Sequence, residues 1–453
     1  MPAPPPRSER TLPDANLLSD CVHCGFCLPT CPTYVLWGEE MDSPRGRIHL
    51  MEQVEQGAPV GASTATHIDR CLGCMACVTA CPSGVQYGPL VEKMRVTVEE
   101  EYDRTAKDRL LRRAIFALFP YPRRLRLLRG PLAAYQRSGL SGLVRRSGLL
   151  ERLSPTLRTM EALAPPLSKA TRLPARVSAR GTPRRATVGL LTGCVQDAFF
   201  PDVNAATARV LAMEGCDVVV PPRQSCCGAL SMHNGRDAEA RSFAKRTIET
   251  FEEAGVDLVV TNAAGCGSAM KEYAHLLADE PGWASRAEAF ADRTRDLTEA
   301  LVELGPVAER HPLPLTVAYH DACHLAHAQG VRQQPRTLLG GVPGLTVREI
   351  AQADICCGSA GIYNLLHPEA ASDLGDRKAG HVLSTGADLL VTGNPGCMLQ
   401  IAAATARRGV PLRVASTATL LDASLRGLGS AALVRHGADT SGSHGETTAA
   451  TAG

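Results

Sequence analysis

Hydrophobic positions along this chain fall into three regimes. Between residues 16 and 100 they recur at helical spacing: the run Arg47-Ile-His-Leu-Met-Glu-Gln-Val-Glu-Gln and the stretch from Pro89 to Arg104 both read as helices. From 101 to 185 leucines alternate with arginines, as in Arg123-Arg124-Leu-Arg126-Leu-Leu-Arg129. Pro120, Pro122, Pro131, Pro155 and Pro165-Pro166 predict breaks there. From 186 onward the apolar positions come in short continuous runs, the mark of buried strands: Ala186-Thr-Val-Gly-Leu-Leu, Val256-Asp-Leu-Val-Val-Thr, Leu315-Thr-Val-Ala-Tyr and Ala387-Asp-Leu-Leu-Val-Thr. Helical patterns lie between them. The Pro-rich residues 1–15 and the Ser/Thr/Gly/Ala-rich residues 431–453 carry no such pattern and predict disordered ends.

The third regime is written twice. Cys194, the vicinal pair Cys226-Cys227-Gly228 and Cys266 are matched by Cys323, Cys356-Cys357-Gly358 and Cys397, at offsets of 129, 130 and 131 residues. Each copy begins with one strand ending at its first cysteine and closes with another ending near its last. Two duplicated α/β domains with parallel sheets follow, over 186–312 and 313–430, after a mainly helical domain over 16–100 and a basic helical bridge over 101–185. Ligands of such sheets gather beyond the strand C-termini, and the repeat cysteines sit at those turns.

Composition narrows the setting. Of 453 residues 44% are hydrophobic and 21% charged, an ordinary globular balance. Seventeen cysteines in so long a chain argue for metal or redox chemistry rather than a secreted disulfide scaffold. The chain opens without a signal-like apolar stretch, and no run reaches the eighteen or so apolar residues of a spanning helix. The expectation is a cytoplasmic, reduced-thiol protein that touches the inner face of a membrane only peripherally.

Net charge is +2, but from Asp103 to Arg185 twenty Lys or Arg face four Asp or Glu. That stretch reads first as a solvated linker or scaffold of helices, then as a docking face for an acidic partner or a membrane surface. Nucleic acid is disfavoured, because the stretch has few aromatics for stacking.

The cysteines near the N-terminus carry the sharpest chemistry. Cys21-x2-Cys24-x2-Cys27-x3-Cys31-Pro32 recurs fifty residues later as Cys71-x2-Cys74-x2-Cys77-x3-Cys81-Pro82. In bacterial-type ferredoxins this run holds a cubane [4Fe–4S] cluster, three thiolates coming from one loop and the fourth from the other motif. The expected assignment is therefore Cys21, Cys24, Cys27 and Cys81 on one cluster, and Cys71, Cys74, Cys77 and Cys31 on the other. Doubling with identical spacing favours this over a zinc site or a redox disulfide. In the second half, glycine beside vicinal cysteines lets both sulfurs face one site. Each repeat so offers four thiols, Cys194, Cys226, Cys227 and Cys266, then Cys323, Cys356, Cys357 and Cys397, with buried packing as the bland alternative. Cys216 reads as core. His320, Asp321, His324 and His327 around Cys323 read as satisfied polar residues at a strand-to-helix turn, with hydrogen-bond donation to a cluster or a place in a quinone pocket as the alternative.

These motifs together resemble the iron–sulfur subunit of bacterial glycolate oxidase. The likeness is carried by Cys21-Val-His-Cys-Gly-Phe-Cys-Leu-Pro-Thr-Cys-Pro-Thr-Tyr, Asp42-Ser-Pro-Arg-Gly-Arg-Ile, Asp69-Arg-Cys-Leu-Gly-Cys-Met-Ala-Cys, Asn204-Ala-Ala-Thr-Ala-Arg-Val-Leu, Ala264-Gly-Cys-Gly with Lys271-Glu-Tyr, and Cys356-Cys-Gly-Ser-Ala-Gly-Ile-Tyr. It spans roughly 16 to 425. The half beyond 186 is also similar to the Cys-Cys-Gly domains of heterodisulfide reductase, which hold a noncubane cluster on five cysteines. Here the expected Cys-x-x-Cys is Ala263-x-x-Cys266 and Asn394-x-x-Cys397, so one ligand is missing from each copy. An ordinary cluster and an empty thiol site both stay open. The resemblance implies an α+β multidomain fold, with a mainly helical dicluster ferredoxin-like domain followed by the two Cys-Cys-Gly domains.

It further implies an electron-transfer role in a glycolate dehydrogenase that converts glycolate to glyoxylate. The chain carries no Gly-x-Gly-x-x-Gly and no Walker sequence, so FAD is expected only on partner hydroxyacid oxidase subunits, with a quinone or similar carrier as acceptor. The chain alone is then not catalytic. Other readings are an iron–sulfur subunit for D-lactate or glycerol 3-phosphate dehydrogenase, a Cys-Cys-Gly disulfide reductase, and a redox sensor or scaffold.

Overall fold

The computed structural model describes residues 12–165, 167, 173–180 and 183–434. Most of both ends expected to lack structure lies outside that range. The described parts are ordered, which corrects the expectation at its edges: Asp14 caps a helix over Ala15–Ser19, and Ala431–Val434 forms a helical turn.

The segment between the two N-terminal cysteine runs is helical, as its spacing predicts. Pro32–Trp37, Pro44–Glu55 and Ala62–Asp69 lie between the runs, and Tyr87–Glu101 follows the second. Ser43 caps the second of these, its side chain accepting from the Gly46 amide, and Pro44 fills the first turn where no amide partner is needed. Ile48, Met51, Val54, Ile68, Leu90 and Met94 meet in one buried cluster.

The basic bridge forms five helices: Ala106–Leu118, Pro122–Arg137, Leu140–Ser147, Leu149–Leu153 and Pro155–Ala162. Pro122 and Pro155 open helices, but the break predicted at Pro131 does not occur, and that residue sits inside Pro122–Arg137. Its exposed position lets water serve the carbonyl left without an amide partner. Nor are all the arginines solvated. Arg104 and Arg112 are buried and share the carboxylates of Asp69, Glu99 and Asp108 at 2.6–3.5 Å.

Among the described residues nine strands build two sheets. The first has the order β1-β3-β2-β4-β5, with β1 (Arg176–Val177), β2 (Ala186–Leu190), β3 (Cys216–Val219), β4 (Leu258–Thr261) and β5 (Thr294–Asp296). Only β1 runs antiparallel. The second is wholly parallel in the order β7-β6-β8-β9, with β6 (Leu315–His320), β7 (Leu345–Glu349), β8 (Leu389–Thr392) and β9 (Arg413–Ser416). Without β1 the two orders coincide strand for strand. In both, the chain leaves the central strand on one side and returns on the other, which opens a crevice at the strand C-termini.

The sheets are not separate bodies. Val188, Val218 and Val260 of the first join Val317, Tyr319 and Val391 of the second in one apolar core. Helices Pro201–Met213 and Thr417–Leu425 pack together, and Arg209 pairs with the buried Asp422 across them at 2.6 Å. Cys216 is fully buried in β3, as its core reading predicts. Among the described residues, no helix is long and apolar enough to cross a membrane.

Candidate functional site

Each N-terminal run winds its loop with the same backbone device. The residues flanking the second cysteine are left-handed: His23 (φ 53°) and Gly25 (φ 85°) around Cys24, Gly73 (φ 62°) and Met75 (φ 61°) around Cys74. Glycine stands where an arginine covers the loop. A Cβ on Gly25 would lie 2.8 Å from Nη1 of Arg45, and one on Gly73 would lie 3.3 Å from Nη1 of Arg95. Arg45 donates to the His23 carbonyl at 3.0 Å, and Arg95 to the Cys71 carbonyl.

Cys21, Cys24, Cys27 and Cys81 line one small pocket at the surface, where Cys24 is exposed. Cys31, Cys71, Cys74 and Cys77 are all buried. Burial pushes the Cys74 and Cys77 thiols well up, and neighbouring thiols, Cys31 among them, add to the effect. At Cys71 burial also opposes ionisation, but Arg47, Arg95, the Gly73 amide and the Tyr87 hydroxyl outweigh it and lower the pKa. Arg47 is itself 1% exposed, with Nη1 3.9 Å from the Cys31 sulfur and Nη2 3.3 Å from Asp42. A buried guanidinium of this kind persists only beside negative charge. Four soft thiols per group with an internal counter-cation form a donor set that fits an iron–sulfur cluster.

The repeat quartets sit at the C-terminal edges of their sheets. Cys194 and Cys226 bring their sulfurs to 3.7 Å, and Cys323 and Cys356 to 3.9 Å. After each vicinal pair a glycine turns left-handed, Gly228 at φ 85° and Gly358 at φ 88°, against the carbonyls of Ala240 and Ala371. Two features mark the surroundings of the quartets. Six of the eight thiols are buried, Cys194 and Cys266 being intermediate. Both quartets, Cys357 excepted, also line a single cavity of about 660 Å³. Its far wall is the bridge, through Leu128, Leu132, Met160 and Leu163. In that part the bridge lies over the cavity as an apolar roof, although Leu128 and Met160 keep part of their surface exposed.

The N-terminal domain abuts this arrangement. Glu92 meets Nδ1 of His233 at 2.8 Å, and Thr79 meets Nδ1 of His327 at 2.9 Å. Cys74 packs in one cluster with Cys323 and Cys356 and feels the charge of Cys323.

Similarity to known proteins bears on this arrangement. Residues 17–85 match a 4Fe-4S dicluster domain, residues 188–271 and 317–402 each match a cysteine-rich domain, and residues 107–164 match the linker region of the glycolate oxidase iron-sulfur subunit. The chain is 41% identical over 412 residues to a probable glycolate oxidase iron-sulfur subunit of Bacillus subtilis, covering 88% of this chain and 92% of that one. It is 36% identical to the glycolate oxidase iron-sulfur subunit of Escherichia coli, covering 88% and 93%. The chain belongs to the glycolate oxidase iron-sulfur subunit family. A lactate utilization protein A of an Exiguobacterium strain is 33% identical, but covers only 53% of this chain.

Family membership leaves open what the polar residues around Cys323 do, and the structure separates them. Asp321 is satisfied by Arg336 at 2.7 and 2.9 Å, and His327 by Thr79, Arg332 and the Asp354 carbonyl. His320 is not satisfied. Its Nδ1 lies 3.1 Å from the Thr392 hydroxyl, while its buried Nε2 has no hydrogen-bond partner. His324 places Nδ1 3.5 Å from the Cys323 sulfur and its ring 5.1 Å from that of His233. Sequence reasoning missed His233, which faces the cavity with an unpartnered Nε2, and Lys378, buried beside the second quartet. Neither lies in a cysteine motif.

Proposed function

We propose that this chain is the electron-transfer subunit of a glycolate oxidase. The observation that carries the reading is the line of thiols from the surface inward. It begins at the exposed Cys24, continues through the buried group around Cys71 and Cys74, and reaches Cys323 and Cys356 at the cavity. Cys21, Cys24, Cys27 and Cys81 hold one [4Fe–4S] cluster, and Cys71, Cys74, Cys77 and Cys31 the other. The two repeat quartets hold further iron–sulfur sites. Such clusters, when bound, take up and release single electrons.

The chain's own residues supply the rest. Arg47 offsets negative charge inside the protein, Arg45 and Arg95 pin the loop carbonyls, and the bridge helices wall the cavity beside the inner thiols. Oxidation of an alcohol by hydride transfer needs a flavin, which the partner hydroxyacid oxidase subunits bring as FAD. Docking occurs beside Cys24, where Val22 and Phe26 are exposed. The cavity wall of Leu128, Leu132, Met160 and Phe199 suits an apolar acceptor such as a quinone better than a water-soluble one. Both the cytoplasm and the inner face of a membrane suit these roles.

The test mixes purified chain with glycolate and an artificial acceptor, with and without the flavoprotein subunits, and repeats it with D-lactate. Turnover is expected only with the flavoprotein and with glycolate preferred. Turnover by the flavin-free chain alone, or preference for D-lactate, would overturn the reading.

A further inference from the structure

We propose that the second repeat holds an iron centre of mixed thiolate and imidazole ligation, in which Nε2 of His320 joins the sulfurs of Cys323, Cys356, Cys357 and Cys397. The first repeat, by contrast, has Leu191 at the equivalent strand position and offers no nitrogen there. The inference rests on reading the quartets as metal sites and assigns the ligands of one of them.

Three observations converge on His320. One of its ring nitrogens and the sulfurs of Cys357 and Cys397 all lie within 4.8 Å of one another, and all three residues are buried. The Nε2 has no hydrogen-bond partner, although the residue is 2% exposed. A buried imidazole nitrogen left without a partner is costly, and a metal ion relieves the cost. The other ring nitrogen is engaged with the Thr392 hydroxyl at 3.1 Å. Ligating histidines are characteristically held this way, the distal nitrogen bonded to the protein and the proximal one aimed at the metal. Donors around one tetrahedral ion stand about 3.5–3.8 Å apart, so shifts of about 1 Å close the set.

The donor count argues for a cluster rather than one ion. Four thiols and one imidazole exceed the four ligands of a tetrahedral zinc. The thiols form a continuous group, with Cys323 and Cys356 at 3.9 Å and Cys74 of the N-terminal domain packed beside them. Lys378 lies 2% exposed near Cys356, Cys357 and Cys397, with its ammonium held by the Gln352 carbonyl at 2.7 Å. A buried ammonium so placed offsets the charge of several thiolates.

The first repeat supplies the contrast. Register places Val188 and Val317 at equivalent positions beside Leu258 and Leu389, so the counterpart of His320 is Leu191. Gly228 and Gly358 lie against Ala240 and Ala371 in the same way, which makes Thr247 the counterpart of Lys378. Neither Leu191 nor Thr247 offers a nitrogen.

The experiment uses the full chain, produced with iron and purified without oxygen, as wild type, His320→Leu and His320→Cys. Iron and zinc per chain are measured, and the reduced proteins are examined by pulsed electron paramagnetic resonance, with and without 15N-labelled histidine. The wild type should show a nitrogen directly coupled to a cluster, shifted by the label. His320→Cys should keep the iron and lose the coupling, while His320→Leu should lose both from this site. His320→Leu recreates the Leu191 arrangement that the first repeat already folds around. Zinc in place of iron, absence of the coupling from wild type, or its survival in both variants would overturn the proposal, survival pointing to His324 instead. Iron confined to the N-terminal cysteines would overturn the metal reading of both quartets, a result distinct from an all-thiolate second site.

Discussion

Behind the sulfurs of the first repeat stand Leu191 and Thr247, and behind those of the second stand His320 and Lys378. The strand order, the glycine after the vicinal pair and the helix packed on it are the same in both copies. Duplication has therefore kept whatever aims the cysteines, which is backbone, and changed what surrounds them, which is side chain. The thiols differ too, through their bonds to one another. Bonds from Cys226 and Cys266 push Cys227 well down against burial. At Cys357 a bond from Cys356 favours ionisation, but Cys397 and burial prevail and push the thiol up.

The largest effect that breaks this comparison is removal of a whole pair. Cys226→Ser with Cys227→Ser, and Cys356→Ser with Cys357→Ser, should each stop glycolate-dependent acceptor reduction in the assembled enzyme while the iron of the N-terminal domain remains. Unchanged turnover in one double variant would leave that quartet as packing and make the repeats functionally unlike.

Next comes the shared glycine. A Cβ on Gly358 would lie 2.6 Å from the Ala371 carbonyl, against 3.2 Å for Gly228 and Ala240. Gly228→Ala should cost about 1–2 kcal/mol for the left-handed backbone alone. Gly358→Ala should cost about 1–3 kcal/mol more through overpacking. Thermal unfolding of both variants gives the order, and an equal cost would show that the two turns are equally tight.

A smaller difference lies in the paired side chains Lys378 and Thr247. Lys378→Met loses the charged bonds to the Gln352 and Ala353 carbonyls and should destabilise by about 1.5–3 kcal/mol, whereas Thr247→Val, which loses one bond to the Phe243 carbonyl, should cost about 1 kcal/mol. Denaturant unfolding of the two variants reads the difference directly.

The smallest effect sharpens the comparison by pH. Asp296 and Ser416 cap equivalent helices at the ends of β5 and β9, but only the first titrates. Burial raises the Asp296 carboxyl to about 6, despite its bonds from Thr298. A raised acid binds its proton more tightly in the folded state, so its contribution is present at low pH and is lost as pH rises. Stability should fall by about 1 kcal/mol between pH 5 and 6, and Asp296→Asn should remove that part of the slope. A variant with the wild-type slope would assign the titration elsewhere, for example to Glu272, which burial raises to about 7.

Much of this was legible because cysteine spacing and strand runs are local signals. The two N-terminal runs, the offsets of 129–131 residues and the buried strands can all be read without tertiary information. What escaped was set by contact. Pro131 reads as a break until its exposed place in the helix is known. Arg104 and Arg112 read as solvated until Asp69, 35 and 43 residues earlier, is seen beside them. The roof over the cavity depends on leucines of the bridge meeting turns from both repeats, and no pattern within the bridge announces that. His320 reads as one polar residue among four, and only its missing partner distinguishes it.

The apolar core that runs unbroken from Val188 to Val391, with Arg209 and Asp422 closing it at one side, has a thermodynamic consequence. Repeats that touch only their neighbours' edges melt as loosely coupled units, each nearly independent of the next. Here neither sheet can shed its strands without exposing the valines of the other. The duplicated half should therefore denature in a single cooperative step. A lesion in one copy is then felt as loss of both.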